Sequence, residues 1–133
     1  MMRLKSDLLN TLIMASEGRF SEMKPLEWDP RTALLVVMAS NGYPGSYEKK
    51  TPIKNLKEAA DISANVQIFH AGTAMEGEQL VAIGGRVLGV TAIGDDVLAA
   101  QTLAYKAVDM VQWPLGFCRR DIGYRAVERL QGK

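Results

Sequence analysis

Residues 66–96 read VQIFHAGTAMEGEQLVAIGGRVLGVTAIGDD. Val66 to Ala71 alternates apolar and polar side chains before meeting Gly72; Gln79 to Ile83 follows across Met75-Glu-Gly-Glu78, and Arg86 to Ala92 follows across Gly84-Gly85. Short runs of this kind, each bounded by glycine, predict three strands of an antiparallel meander joined by tight turns. Gly94 ends the third strand. Asp95 then offers an N-cap to a helix from Asp96 to about Val111, whose Val97, Ala100, Ala104, Ala107, Val108 and Val111 share one face.

Upstream, ALLVVMA (33–39) is continuously apolar with β-branched residues at its centre, the pattern of a buried strand. It runs into NGYPGS (41–46), where two glycines and a proline force a shaped turn. Leu8, Leu9, Leu12, Ile13 and Ala15 recur at helical spacing between Ser6, a possible N-cap, and Phe20, with Gly18 as a stop. Residues 50–65 suit a surface connection carrying a short helix. After Pro114 and Gly116 the tail holds the basic pair Arg119-Arg120 and a short amphipathic segment. The fold class is therefore α+β: an antiparallel strand-rich middle, either an open sheet or a partly closed barrel, with flanking helices.

Composition limits the function. A chain of 133 residues with 47% hydrophobic content supports one core. Sixteen basic residues against fifteen acidic ones, net charge +1, give no general attraction for nucleic acid, so an anion site has to be local. No stretch is long and apolar enough to span a membrane, and the N-terminal residues do not form a secretory signal, so the expected location is cytoplasmic. Cys118 is the single cysteine and His70 the single histidine, which removes an internal disulfide and zinc sites built on several of either residue.

The remaining candidates are anion binders. Arg86 carries a planar, permanently charged fork suited to phosphate or carboxylate, and Gly84-Gly85 before it would let backbone approach the same ligand. By residue type alone the plainer reading, an exposed hairpin arginine after a Gly-Gly turn, comes first. Arg119 and Arg120 either bind an anion or form a surface ion-pair network with Asp121. Tyr43, Pro44 and Gly45 make either a precise binding loop or a plain connection. His70, at a strand end, reads first as a structural group.

The segments MRLKSDLL (2–9), LEWDPR (26–31), VVMASNGYPGSYEK (36–49), FHAGT (69–73), GGRVLGVTAIGDD (84–96), AYKAVD (104–109) and RRDIGYRA (119–126), in this order, resemble the C-terminal part of the glycinamide ribonucleotide synthetases, or phosphoribosylamine–glycine ligases, of the ATP-grasp superfamily. The resemblance implies an ATP-dependent C–N ligation in purine synthesis: glycine is activated as an acyl phosphate, which the amine of 5-phosphoribosylamine attacks, releasing ADP and phosphate. It implies ATP and Mg2+ (or Mn2+) as cofactors of the full-length enzyme. Both would be held by upstream domains that this chain lacks, so the chain is expected to bind neither and to be inactive alone. Residues 1–20 would be the last helix of the ATP-grasp core and 21–133 the C-terminal substrate-binding domain. Arg86, with Gly85, would meet the ribose 5-phosphate. Arg119 and Arg120 would bind anion or fix a domain boundary. Tyr43, Pro44 and Gly45 would sit near the glycine end, with His70 and Thr73 lining the same cleft. The partners implied are the upstream domains and the two small substrates, with no nucleic acid and no membrane. A free-standing module that binds a phosphorylated metabolite, or a purely structural domain, are the competing readings. An exposed apolar face on the first helix would favour the enzyme portion.

Overall fold

The computed structural model describes residues 1–132. The apolar run of the sequence becomes β1 (Thr32–Ser40), which lies antiparallel to β6 (Arg86–Gly94), with Thr32 opposite Gly94 and Met38 opposite Leu88. β3 (Val66–His70) pairs with the far side of β6, and β7 (Gly116–Cys118) with the far side of β1. The result is an open four-stranded sheet in the order β3-β6-β1-β7. A smaller sheet, β2-β5-β4, is formed by β2 (Thr51–Pro52), β4 (Thr73–Glu76) and β5 (Gln79–Ala82).

The stretch 66–96 is thus four strands in two sheets, a correction to the three-strand meander. β3 and β6 pair directly, while β4 and β5 leave as a hairpin that turns at Gly77, whose φ is +59°. Glycine makes the exit possible. A Cβ on Gly72 would come within 2.6 Å of the Arg86 carbonyl oxygen and 3.0 Å of Gly84 Cα, so two bare backbones pass each other where the hairpin departs. The N–H groups of Ala71 and Gly72 both donate to the Val87 carbonyl and close the junction.

One helix, α3 (Val97–Met110), covers one face of the large sheet. Its cap is Asp96, one residue later than expected, whose carboxylate accepts from the Ala99 N–H at 2.7 Å. Ala100, Ala104, Ala107 and Val108 are its buried residues. Small side chains let the helix settle close to the sheet, and a Cβ on Gly94 would lie 2.4 Å from the Ala100 nitrogen. Beneath it Leu34, Val36, Met38, Ile68, Leu88, Val90 and Ala92 form the core, each larger aliphatic contributing about 1.5–3 kcal/mol by its burial. The opposite face of β1 is not covered: Leu35 and Val37 are 46% and 39% exposed, against 0% for Val36 between them. The expectation of a fully buried strand is corrected to one buried on a single side.

The first helix, α1 (Leu8–Ser16), is capped by Asp7 and not by Ser6, whose hydroxyl accepts from the Glu27 N–H. It stops at Gly18, with φ +72°. None of its residues is buried, and Leu9, Leu12 and Ile13 are exposed. The short α2 (Leu56–Ala60) and α4 (Tyr124–Leu130) complete the fold. No helix among the described residues is long and apolar enough to cross a membrane.

Candidate functional site

The site begins with an irregularity in the pairing of β1 and β6. Met38 faces Leu88 but Ala39 faces Arg86, which leaves Val87 as the extra residue of a β-bulge. Strict alternation would put Arg86 on the same side as Leu88 and Val90, beneath α3. The bulge buries Val87 and Leu88 together and returns Arg86 to the uncovered face. There it lines a hollow of about 230 Å3 with Leu35, Val37, Tyr43, Phe117 and Arg119. Among the described residues Arg86 makes no ion pair and no side-chain hydrogen bond.

The second wall comes from the 41–46 turn. Ser40 clamps its base: its N–H donates to the Gly85 carbonyl and its hydroxyl to the Gly84 carbonyl, both at 2.8 Å. The turn then lays the Tyr43 ring on Gly85, where a Cβ would fall 2.2 Å from the ring. Gly85 is therefore required as a seat for Tyr43, next to Arg86, and it is buried. Gly42, with φ +99° and the Ser46 carbonyl 2.3 Å from where a Cβ would be, is the other obligatory glycine of the turn. The Gly84 N–H donates to the Gly72 carbonyl and the Tyr43 N–H to Ser40, so neither is open to an anion.

The other candidates separate. Arg119 reaches the hollow, but its guanidinium holds the Asp121 carboxylate at 2.6 and 2.9 Å and depresses that carboxyl below the usual range. Arg120 points elsewhere, to Asp109 on α3 at 2.5 Å and over the Tyr105 ring, so of the basic pair only Arg119 makes the ion pair with Asp121. Pro44 and Gly45 are exposed and do not line the hollow. His70 pairs with Leu88 across the sheet while Phe69 pairs with Gly89, so alternation turns His70 away from the Arg86 face, and its Nδ1 lies 2.9 Å from Thr73 Oγ1. His70 and Thr73 do not line the Arg86 hollow among the described residues.

Leu35, Val37, Phe117 and Cys118 were not foreseen as lining residues. The alternation inside the 33–39 run could not single out one face, because both faces are apolar. Burial pushes the Cys118 thiol up, with Arg120 partly opposing, so it is not an activated nucleophile. No group of three or more His, Cys, Asp or Glu side chains placed to hold a metal occurs among the described residues, and these residues do not fit the implied magnesium.

Fold and site together define a class: an α+β domain with one sheet face finished by a helix and the other carrying an unpaired arginine over an apolar floor. Residues 33–125 match the family described as "Phosphoribosylglycinamide synthetase, C domain", and the chain belongs to that family. It is 53% identical over 98% of its length to a chloroplastic phosphoribosylamine–glycine ligase of Arabidopsis thaliana, and 57% identical over 97% to the ligase of Rhizobium meliloti. It spans only 25% and 30% of those two relatives. The solved ligase of Thermotoga maritima superposes with a TM-score of 0.70 at 32% identity, covering 86% of this chain and 27% of that one.

Proposed function

We propose that this chain is the closing, substrate-positioning domain of an ATP-dependent phosphoribosylamine–glycine ligase, with residues 21–133 as that domain and residues 1–20 as the last helix of the preceding ATP-grasp core. The observation that carries the reading is the bulge that turns Arg86, unpaired, into the hollow walled by Tyr43. A guanidinium in this position is free to take the 5-phosphate of phosphoribosylamine in a charge-assisted grip, each such bond contributing about 1.5–3 kcal/mol. Gly85 and Tyr43 fix where that guanidinium stands. Arg119 is the secondary group, able to turn to the ligand only by giving up Asp121.

ATP and magnesium supply the phosphoryl transfer that activates glycine when bound, and the chain's own part is to bind and orient the amine substrate. Glycine belongs near the Tyr43-Pro44-Gly45 turn. The exposed apolar side chains of α1 support an enzyme portion over a free-standing binding module. A cytoplasmic location is part of the reading, although the Arabidopsis relative is named chloroplastic. The test is ADP formation with glycine and phosphoribosylamine by a chimera in which this chain replaces the matching part of the Rhizobium meliloti ligase. Turnover comparable to the parent is expected, with none from the chain alone; an inactive, folded chimera contradicts the proposal.

A further inference from the structure

After β7 the chain leaves the sheet. β7 pairs only with Met38, Ala39 and Ser40 of β1 and ends at Cys118, so residues 119–122 have no strand pairing of their own. This stretch nonetheless walls the Arg86 hollow, to which Phe117, Cys118, Arg119 and Ile122 contribute. Its end is seated at Gly123, where φ is +83° and a Cβ would come within 2.6 Å of Leu34 Cδ1. What holds the span before that seat is the helix on the other face of the sheet. Tyr105 of α3 uses its hydroxyl twice: it donates to the Arg119 carbonyl at 2.8 Å and accepts from the Ile122 N–H at 3.0 Å. Gln101, one turn earlier on the same side of α3, donates its side-chain amide to the Ile122 carbonyl at 2.7 Å. A single phenolic oxygen therefore ties the first residue of the span to its last.

We propose that Tyr105, supported by Gln101, is a positioning residue for the amine substrate: without touching it, the pair sets the wall against which phosphoribosylamine binds. The inference rests on the proposed function and deepens it. A loop outside any strand ladder keeps one shape only where side chains supply the bonds that a ladder would, and here two side chains of α3 supply three. Held in this way, Arg119 stands at the hollow with its guanidinium on Asp121, and Ile122 completes the lining. A small displacement of such a wall weakens binding, because the substrate has to meet the wall and the Arg86 guanidinium in one pose. Arg120 lies over the Tyr105 ring and bonds Asp109, one turn further along α3, but takes no part in the bonds of the Tyr105 hydroxyl.

The experiment is Tyr105→Phe, which keeps the ring and removes the hydroxyl. In the isolated chain, amide hydrogen exchange read by NMR should speed up at Ile122 by at least about tenfold while the amides of β1 and β6 exchange as before. In the chimera, the KM for phosphoribosylamine should rise about five- to tenfold, with kcat and the KM for ATP within about twofold of the parent. Gln101→Ala should move the same KM in the same direction. Two controls separate positioning from general loosening. Val108→Ala, at a buried position of α3 that makes none of the three bonds, and Arg120→Ala, which removes the stacking on the ring, should both leave that KM unaltered. An Ile122 amide that exchanges as in the parent overturns the clamp. A faster amide with an unaltered KM overturns the positioning role, as does a Val108→Ala chimera whose KM rises as far as that of Tyr105→Phe. Should Tyr105→Phe fail to fold, Gln101→Ala carries both measurements. A folded parent chimera without turnover removes the proposed function and with it the positioning role, and the exchange result then decides the clamp by itself.

Discussion

The two faces of the four-stranded sheet are made by the same strands and differ in what lies on them. On one, Val36, Leu88 and Val90 are sealed under the alanines of α3. On the other, Leu35, Val37 and Phe117 are comparably apolar and almost half exposed. Hydrophobic side chains on an uncovered face gain little from folding alone, so their presence there answers to something besides the stability of this chain. The bulge at Val87 is the point where the two faces communicate, taking Arg86 from the sealed side to the open one.

The strongest way to break the comparison is to truncate one residue on each side. Leu88→Ala should destabilise the isolated chain by about 2–5 kcal/mol in chemical denaturation, and Leu35→Ala by less than about 1 kcal/mol. Equal losses would mean that the open face is already part of the core. Gly85→Ala comes next. The new methyl must displace the Tyr43 ring, costing about 1–3 kcal/mol, and in the chimera it should impair phosphoribosylamine use more than ATP use, read as separate KM values.

A smaller, acid-dependent effect involves Asp29, whose carboxylate takes the Arg31 guanidinium at 2.8 and 3.1 Å and the Arg31 N–H at 2.9 Å. These bonds, the guanidinium first, hold the Asp29 carboxyl well below its usual range. A depressed folded value contributes stability above the unfolded pKa of about 3.9, which is lost as pH falls below it. The acid limb of a stability profile should therefore be shallower in Asp29→Asn, and an unchanged limb would show that the pair contributes nothing. The smallest expected change is Arg120→Ala. Its partners are Asp109 and Tyr105, away from the hollow, so it should cost about 0–1 kcal/mol and leave the KM for phosphoribosylamine unaltered.

Much of the sealed face was legible in the sequence. The 3.6-residue spacing of Ala100, Ala104, Ala107 and Val108 specified the buried stripe of α3, and β-branched residues at 36–37 marked the strand beneath it. The sheet pairing was not legible, because the exit at Gly72 and return at Gly84 depend on two backbones passing in space, which no local pattern encodes. The side taken by Arg86 was hidden for the same reason: a bulge belongs to a pair of strands. The seven residues 33–39, apolar on both faces, announced two buried sides, of which this chain covers one. Residue type singled out Arg86, Tyr43 and Gly85 as candidates, and the fold brings those three together; it could not separate Arg119 from Arg120, whose directions are set by Asp121 and Asp109.

The claim that the open face is the working face is tested most directly by the steady-state kinetics of Arg86→Ala in the chimera. A fall of about thirtyfold in kcat/KM for phosphoribosylamine, on the order of 2 kcal/mol, is expected with the KM for ATP unchanged. Unaltered kcat/KM for phosphoribosylamine would contradict the account.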